Sequence, residues 1–425
     1  MRKLATRVIL SILMIPAFAP HVWSSGFALY NHSSASIARG SAAIAHNDDS
    51  SALFFNPALM NKLELSRVKL GINYLKSSVE FRSDATGKTF KLQDTSHFIP
   101  TLFAIHRISE RISAGLGVFS HFGLSTTWDD EWEGRYLATH SELKTLTFNP
   151  AVSFRVTPQV FVAGGVSISI LDAELNKNIT LSPMLPDIKQ KLSGDDTAFG
   201  YNIGLLIDIS EDVSFGISYR SKIKTEFKGE VEHQIPAVIQ SMPQAALFPN
   251  TSAETTVNLP PQAFAGIAYS GIDSFVFEVS VKWEGWSEYD KLKIDLDEPI
   301  VTETAIAIPR KWEDVYPVSF GAQYRANDMF DINAGYTYDP SPVPDDTFEP
   351  SVPDSDGHIF SLGLDIKLKN TRVGLLYAYK KYEDREKNNM LDDFPFDGIV
   401  NPLTSVNGTY KSSIHMMGVD VAYVY

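Results

Sequence analysis

Apolar and polar residues trade places at every second position through long stretches of the chain. Phe199, Tyr201, Ile203, Leu205, Ile207 and Ile209 alternate with Gly200, Asn202, Gly204 and Asp208, and Leu206 is the one exception. Val213, Phe215, Ile217 and Tyr219 alternate with Ser214, Gly216, Ser218 and Arg220. Phe330, Ile332, Ala334, Tyr336 and Tyr338 oppose Asp331, Asn333, Gly335 and Thr337, while Phe360, Leu362, Leu364, Ile366 and Leu368 oppose Ser361, Gly363, Asp365 and Lys367. A period of two marks β-strands, whose successive side chains point to opposite faces. The apolar face is wide and aromatic; the other holds Asp, Asn, Lys, Arg and Gly. Such a strand suits a wall between lipid and a wet lumen. Alternation alone suits a soluble sandwich equally well.

Connection lengths separate the two. Strands are predicted over 67–82, 97–108, 112–128, 138–156, 160–171, 197–209, 213–229, 253–269, 274–290, 313–325, 329–339, 358–368, 372–383 and 409–425. That makes fourteen, an even number. Long connections (83–96, 129–137, 172–196, 230–252, 291–312, 340–357 and 384–408) alternate strictly with short ones at 109–111, 157–159, 210–212, 270–273, 326–328 and 369–371. Short periplasmic turns with long outer loops are the habit of bacterial outer-membrane barrels, and a sandwich has no reason to keep it. The fold class expected is all-β, a 14-stranded antiparallel transmembrane barrel over 63–425. Its last strand ends Val419, Val421, Tyr423, Tyr425, closing the chain on an aromatic residue.

The front of the chain supplies an address. Arg2, Lys3 and Arg7 precede an apolar stretch from Val8 to Ala19, the order of a secretory signal peptide over 1–24, with cleavage expected after Ser24. No later run approaches the 18 or so apolar residues of a membrane helix. Composition narrows the chemistry further. Lys+Arg 37 against Asp+Glu 51 gives −14, which argues against nucleic acid, a ligand that needs clustered cations. The absence of Cys removes thiolate metal sites and cysteine nucleophiles. No cofactor motif is present, since Gly115-Leu116-Gly117 lies mid-strand. No catalytic constellation emerges either: Gly-x-Ser-x-Gly is missing, and His140-Ser141 sit on opposite faces of one strand.

Residues 25–62 do not alternate. They are rich in Ser, Ala and Gly and then reach Asn47-Asp48-Asp49 and Phe54-Phe55-Asn56-Pro57-Ala58. A fourteen-stranded cylinder is too wide to be filled by its own side chains, so this segment is expected to form a plug inside the lumen. A solvated periplasmic tail is the alternative. Ile44, Leu53, Phe54, Phe55 and Leu59 are more apolar than such a tail requires.

These residues together resemble the outer-membrane long-chain fatty acid transport proteins, FadL and its aromatic-hydrocarbon relatives. The landmarks run through nearly the whole expected mature chain: Gly26-Phe27, Asn56-Pro57-Ala58, Phe122-Gly123-Leu124-Ser125-Thr126, Gly134-Arg135-Tyr136, Ser141-Glu142-Leu143-Lys144-Thr145, Asn149-Pro150, Tyr219-Arg220-Ser221, Leu259-Pro260, Trp283 with Trp286-Ser287, Asp339 to Pro344, and Pro353-Asp354. The resemblance implies a monomeric barrel with a hatch carrying Asn56, Pro57 and Ala58. It also implies a third strand kinked inward to open the wall, which we place at His121, Phe122 and Gly123. A glycine there permits a bulge or a close backbone approach, or merely packs beneath an aromatic neighbour.

The function implied is passive transport of hydrophobic compounds, long-chain fatty acids or related hydrocarbons, from an apolar outer groove through a hatch rearrangement to a lateral opening. Groove candidates are Leu181, Met184, Leu185, Ile188 and Leu192 in one loop and Ile235, Val238, Ile239, Met242, Ala245, Leu247 and Phe248 in another, at spacings that suit short amphipathic helices. Alternatively, the two loops pack on each other as a lid. A carboxylate head group would want a cation, and Arg220 and Lys367 face the expected lumen. The acidic tips Asp129-Asp130-Glu131, Asp345-Asp346 and Asp392-Asp393 are solvated loops or weak divalent-cation sites beside lipopolysaccharide, and no resident metal is expected. The rival function is a porin for polar solutes.

Overall fold

The computed structural model describes residues 26–93, 95–391 and 406–425. The leader over 1–24 and the acidic pair Asp392-Asp393 lie outside them. Among the described residues fourteen antiparallel staves close into a barrel. They are β1 (Arg67–Ser83), β2 (Ser96–Arg107), β3 (Ile112–Phe119 and Leu124–Thr127), β4 (His140–Arg155), β5 (Val160–Ile179), β6 (Ile188–Asp208) and β7 (Val213–Arg220 and Ile223–Gln234). There follow β8 (Thr251–Leu259 and Gln262–Ile272), β9 (Phe275–Glu284 and Lys291–Ile300), β10 (Glu303–Pro309 and Val318–Arg325), β11 (Phe330–Asp339), β12 (Gly357–Leu368), β13 (Thr371–Tyr382) and β14 (Gly408–Val424). β14 closes the ring on β1 from Arg67↔Val424 to Ser83↔Gly408. Closure leaves no edge with unpaired backbone, which is what lets strands cross lipid.

The number of staves and the alternation of short and long connections hold as expected. The length of the outer loops does not. Residues 172–196, expected as one loop, are mostly hairpin: β5 and β6 stay paired from Asp172↔Asp195 to Ile179↔Ile188. Ile188 is therefore a strand residue, not part of an amphipathic helix. Residues 291–309 form a second hairpin, Lys291↔Pro309 to Asp295↔Ala305. Only the loop after β7 contains the expected helical turns, Ala237–Gln240 and Pro243–Leu247.

The hairpins escaped notice because the two faces exchange character partway up the wall. Low in the wall Phe199, Tyr201 and Ile203 are exposed to the outside while Asn202 is buried inside. Higher up, Phe227, Val231 and Leu292 are buried inside, and Lys224, Glu226, Lys293 and Asp295 stand outside in exposed ion pairs. At about 3.3 Å per residue, the 20 residues of β5 reach roughly 66 Å along the strand. Tilted, they still overshoot an apolar band about 25 Å tall. The upper part therefore stands in water, and a search for lipid-facing alternation passes over it. In β3, β7, β8 and β10 a break in the strand accompanies the exchange and shifts by one the parity of the inward positions: Gln262, Phe264 and Ala268 are buried below the Pro260-Pro261 break, Thr251, Ala253 and Leu259 above it.

Residues 26–62 lie within the ring. From Gly26 to Asn61 all but Ser41, His46, Asp48 and Asp49 are fully buried. Polar contacts tie the segment to the wall on several staves. The Lys69 ammonium of β1 meets Asp49 at 2.8 Å, Asp420 of β14 at 2.8 Å and the Ser33 hydroxyl at 2.6 Å. The Glu278 carboxylate of β9 accepts the backbone N–H groups of Ile44, Ala45 and His46 at 2.6, 3.2 and 2.8 Å. Asn61 bonds Ser153 of β4 at 3.0 Å. Gly26 donates to Asp354, beyond β11, at 3.0 Å. Backbone lies so near the wall that side chains are excluded: a Cβ on Gly216 would sit 2.1 Å from the Ile44 carbonyl, and one on Gly335 2.0 Å from the Gly40 nitrogen. Leu206, the exception in the alternation of β6, points inward and packs with Ala52, Ala58 and Leu59.

Candidate ligand path and kink

Asn56 joins segment to wall. Its side-chain amide donates to the Ile44 carbonyl at 2.9 Å and to the Leu205 carbonyl of β6 at 3.0 Å, and its oxygen accepts the Ala58 N–H at 3.1 Å. That last bond caps the 3-10 turn Pro57–Lys62, with Pro57 at its first position. Asparagine supplies donor and acceptor together, and both are used in a fully buried setting.

The break in β3 falls at residues 120–123, over His121, Phe122 and Gly123. Here the chain leaves the wall and pairs with the N-terminal segment: Leu29 N–H donates to the His121 carbonyl and Gly123 N–H to the Phe27 carbonyl, both at 2.9 Å. On the β4 side, Thr145 bonds both backbone groups of Phe122, at 3.1 and 2.6 Å. On the β2 side the ladder runs from Arg107↔Ser113 to Leu102↔Val118, and beyond it the described residues show a single bridge, Gln93↔Thr127. A Cβ on Gly123 would meet only the tip of the Leu29 side chain, at 2.9 Å, with the nearest backbone atom 3.7 Å away.

Above the kink lie two cavities. An inner one of about 100 Å³ is lined by Phe27, Leu124, Leu143, Leu175, Leu192, Phe227, Val257, Tyr289 and Ile294 among others, with Glu142 and Glu254 its only charged residues. An outer one of about 460 Å³ shares Leu175, Leu192 and Ile294 and adds Tyr136, Lys177, Ile306, Ile308, Arg310, Lys311, Glu349 and Met390. Arg310 is buried there in an ion pair with Glu349, and its Nε has no hydrogen-bond partner. Burial opposes its charge, but Glu349 and Tyr289 outweigh that and hold it more firmly protonated than an ordinary arginine.

Of the twelve groove candidates only Leu192 lines the cavities, and it lines both. Ile188, Ile239 and Phe248 are buried in the apolar cluster, against which Leu181, Leu185 and Ile235 pack; Met184, Val238 and Leu247 are exposed. The two loops thus bury much of their apolar surface, Met242 standing in the second between its helical turns. Nor do the cations come to the path. Arg220 donates to the Phe54 carbonyl at 2.7 Å and to Asn149 at 3.2 Å, with its guanidinium 4.2 Å from the Phe54 ring centre, while Lys367 pairs with Asp331 at 2.6 Å. Sequence reasoning placed Leu192 in the groove but missed Leu175, Ile294 and Arg310 because it left the upper hairpins as loops. Alternation of Leu171, Ala173 and Leu175 was the available signal. At the acidic tips Asp130, Asp345 and Asp346 pair with Lys189, Arg385 and Lys311, and no group suited to a metal occurs among the described residues.

A closed barrel with an outward apolar belt and a filled lumen defines an outer-membrane protein. The chain belongs to the outer membrane protein transport protein family (OMPP1/FadL/TodX), whose sequence model matches residues 15–425. It is a family of transporters rather than enzymes. The chain is 26% identical to the 47 kDa outer membrane protein of Pasteurella multocida over 90% of each chain. It is 24% identical to the long-chain fatty acid transport protein of Escherichia coli O6:H1, over 82% of this chain and 85% of that one. Its fold is that of a Pseudomonas aeruginosa FadL homologue (TM-score 0.81, 20% identity, 94% and 99% coverage) and of the Pseudomonas putida toluene transporter TodX (0.71, 15%, 95% and 99%).

Proposed function

We propose that the protein carries hydrophobic compounds passively across the outer membrane as a monomer set among lipid and lipopolysaccharide. Ligand enters the outer cavity and settles in the inner one. The hatch carrying Asn56, Pro57 and Ala58 then rearranges, and the ligand leaves sideways beside His121, Phe122 and Gly123. The carrying observation is that the two apolar cavities share a wall and end on Phe27, whose backbone is bonded to the kink. Each methylene removed from water contributes about 0.8 kcal/mol, so a greasy ligand needs few polar contacts. Sideways exit keeps it out of periplasmic water.

Arg310 favours a fatty acid over a neutral hydrocarbon. It is the buried cation of the outer cavity, whereas the inner cavity holds no cation; an acyl tail would lie across the outer space with its end in the inner one while its carboxylate meets Arg310. Names of relatives point both ways, to fatty acids and to toluene. Uptake of labelled oleate and labelled toluene by cells lacking the protein, with wild type or Arg310→Ala restored, tests this. Oleate uptake is expected to fall with the variant and toluene uptake to stay; restoration of neither substrate by wild type refutes transport. A porin would conduct steadily in planar bilayers, whereas the hatched barrel should be nearly silent.

A further inference from the structure

Five buried side chains connect the kink, the N-terminal segment and the opposite wall. His121 Nε2 lies 2.8 Å from Gln262 Oε1, an acceptor, so that nitrogen carries the proton. Gln262 donates through its amide nitrogen to the Tyr30 hydroxyl at 2.7 Å, and Tyr30 donates to Glu284 at 2.7 Å. Trp286 donates to the other oxygen of Glu284 at 2.9 Å. Donation thus runs from His121 through Gln262 and Tyr30 to the Glu284 carboxylate, which also pairs with the buried Lys282 ammonium at 3.4 Å. His121, Gln262, Tyr30, Glu284 and Trp286 are each at most 5% exposed. Gln262 and Glu284 face each other across the β8–β9 ladder, whereas His121 belongs to β3 and Tyr30 to the segment inside the lumen. Trp286 also touches the inner cavity's floor, its ring centre 4.7 Å from that of Phe27.

We propose that this relay is a latch, with Gln262 and Glu284 as positioning residues that hold Tyr30 and His121 against the far wall and so keep the kink shut until ligand displaces Phe27. Ligand coupling rests on the transport reading above; the latch itself does not. Three features argue for it. The relay spans the lumen instead of joining neighbouring strands, so it fixes the kink relative to β8 and β9. Its middle member is neutral and bifunctional, and breaking the chain there strands a donor on one side and a hydroxyl on the other, which is costly in a buried site. Its far end reaches Trp286, so displacement of Phe27 is felt by the terminal acceptor's own partner.

Hydrogen–deuterium exchange of the full-length protein in detergent tests the latch, with Gln262→Leu and Tyr30→Phe compared with wild type. Tyr30→Phe adds no bulk and lies outside the barrel strands, so the barrel forms even where Gln262→Leu fails to assemble. Amides of 27–30 and 120–123 are expected to exchange about tenfold faster in either variant, the scale set by one or two lost buried hydrogen bonds. Those of the β1–β14 seam should be unchanged, which a general loss of barrel stability would not allow. Unchanged protection of 27–30 and 120–123 in Tyr30→Phe, or equal acceleration of the seam, overturns the proposal. Oleate added to wild type should reproduce the variant pattern. If it does not while the variants still loosen the kink, the latch stands and the transport reading fails.

Discussion

The lower and upper halves of the barrel use the same strands for opposite ends. Below, the inner face is polar and the N-terminal segment occupies the space above a polar periplasmic cavity of about 850 Å³: Lys69, Arg220, Glu278, Asn149 and Asn202 are buried there and bonded to the segment or to one another. Above, the inner face is apolar and leaves cavities open, lined by Leu175, Leu192, Phe227 and Ile294 at the edge of the apolar cluster. A polar rung divides them. Asn202, Arg220, Gln262 and Glu284 are cross-strand neighbours on β6 to β9, and just above Arg220, Gln262 and Glu284 their staves are interrupted. Polar contacts suit the closed floor because they are directional and fix one seating. Grease suits the chamber because it binds without demanding a shape.

The largest effect separating the halves should come from filling the floor. Gly216→Val places a side chain on the Ile44 carbonyl, backbone that cannot step aside without unseating the bonds from Ile44 and Ala45 to Glu278. The barrel should insert and then conduct ions steadily in planar bilayers, while wild type stays silent. Asn56→Ala comes next. It removes three hydrogen bonds from a buried amide, a loss of about 1–3 kcal/mol in the seating of the segment. Uptake of labelled oleate should fall with the barrel still inserted, as judged by heat-modifiable migration on gels; unchanged uptake would remove this motif from the mechanism.

A change in the chamber should do the reverse. Leu192→Ala removes apolar contact shared by both cavities without touching the floor. Losing part of one leucine's contact with an acyl chain is worth about 1 kcal/mol, or roughly fivefold in affinity. Fluorescence titration with an environment-sensitive fatty acid would read it, and bilayer conductance should remain at the wild-type level. A rise in conductance would show the two halves to be less independent than their contacts suggest.

This division also explains what could be read from the chain. In the membrane-crossing parts of β6, β11 and β12 the lipid demands an apolar outer face, so alternation is nearly forced, and the strands and their periplasmic turns follow from it. Above the bilayer both faces have freedom. Lys189, Gln190, Lys191 and Leu192 show little contrast, so the hairpin was not legible, although the apolar character of Leu192 did place it in the groove. Arg220 was read correctly as facing inward, yet alternation says nothing about what meets it. Its partner, the Phe54 carbonyl, lies 166 residues away in a segment without period. The relay through Gln262 is of the same kind, since no local pattern foretells a bond between residues 141 apart.

The floor should also depend on pH. His46 donates its backbone N–H to Glu278, and its imidazole faces Asp48 and Arg39 in the segment and Gln323 and Arg325 of β10. Burial first, and then Arg39, push its pKa down from 6.5 to about 4, despite the opposing pull of Asp48. The seated segment therefore keeps His46 neutral at a pH where the unseated one has protonated it. Between pH 6.5 and 4 the unseated form binds the extra proton, so seating weakens as pH falls, by at most tenfold per unit for this one group. His32, buried in the same segment with its pKa also lowered by burial, adds in the same direction. Exchange of the Ile44 to His46 amides should accelerate from pH 6.5 to 5 after correction for intrinsic rates, and His46→Gln should flatten that slope by about one proton without abolishing it. A slope unchanged by the substitution would leave His46 as a passive part of the floor.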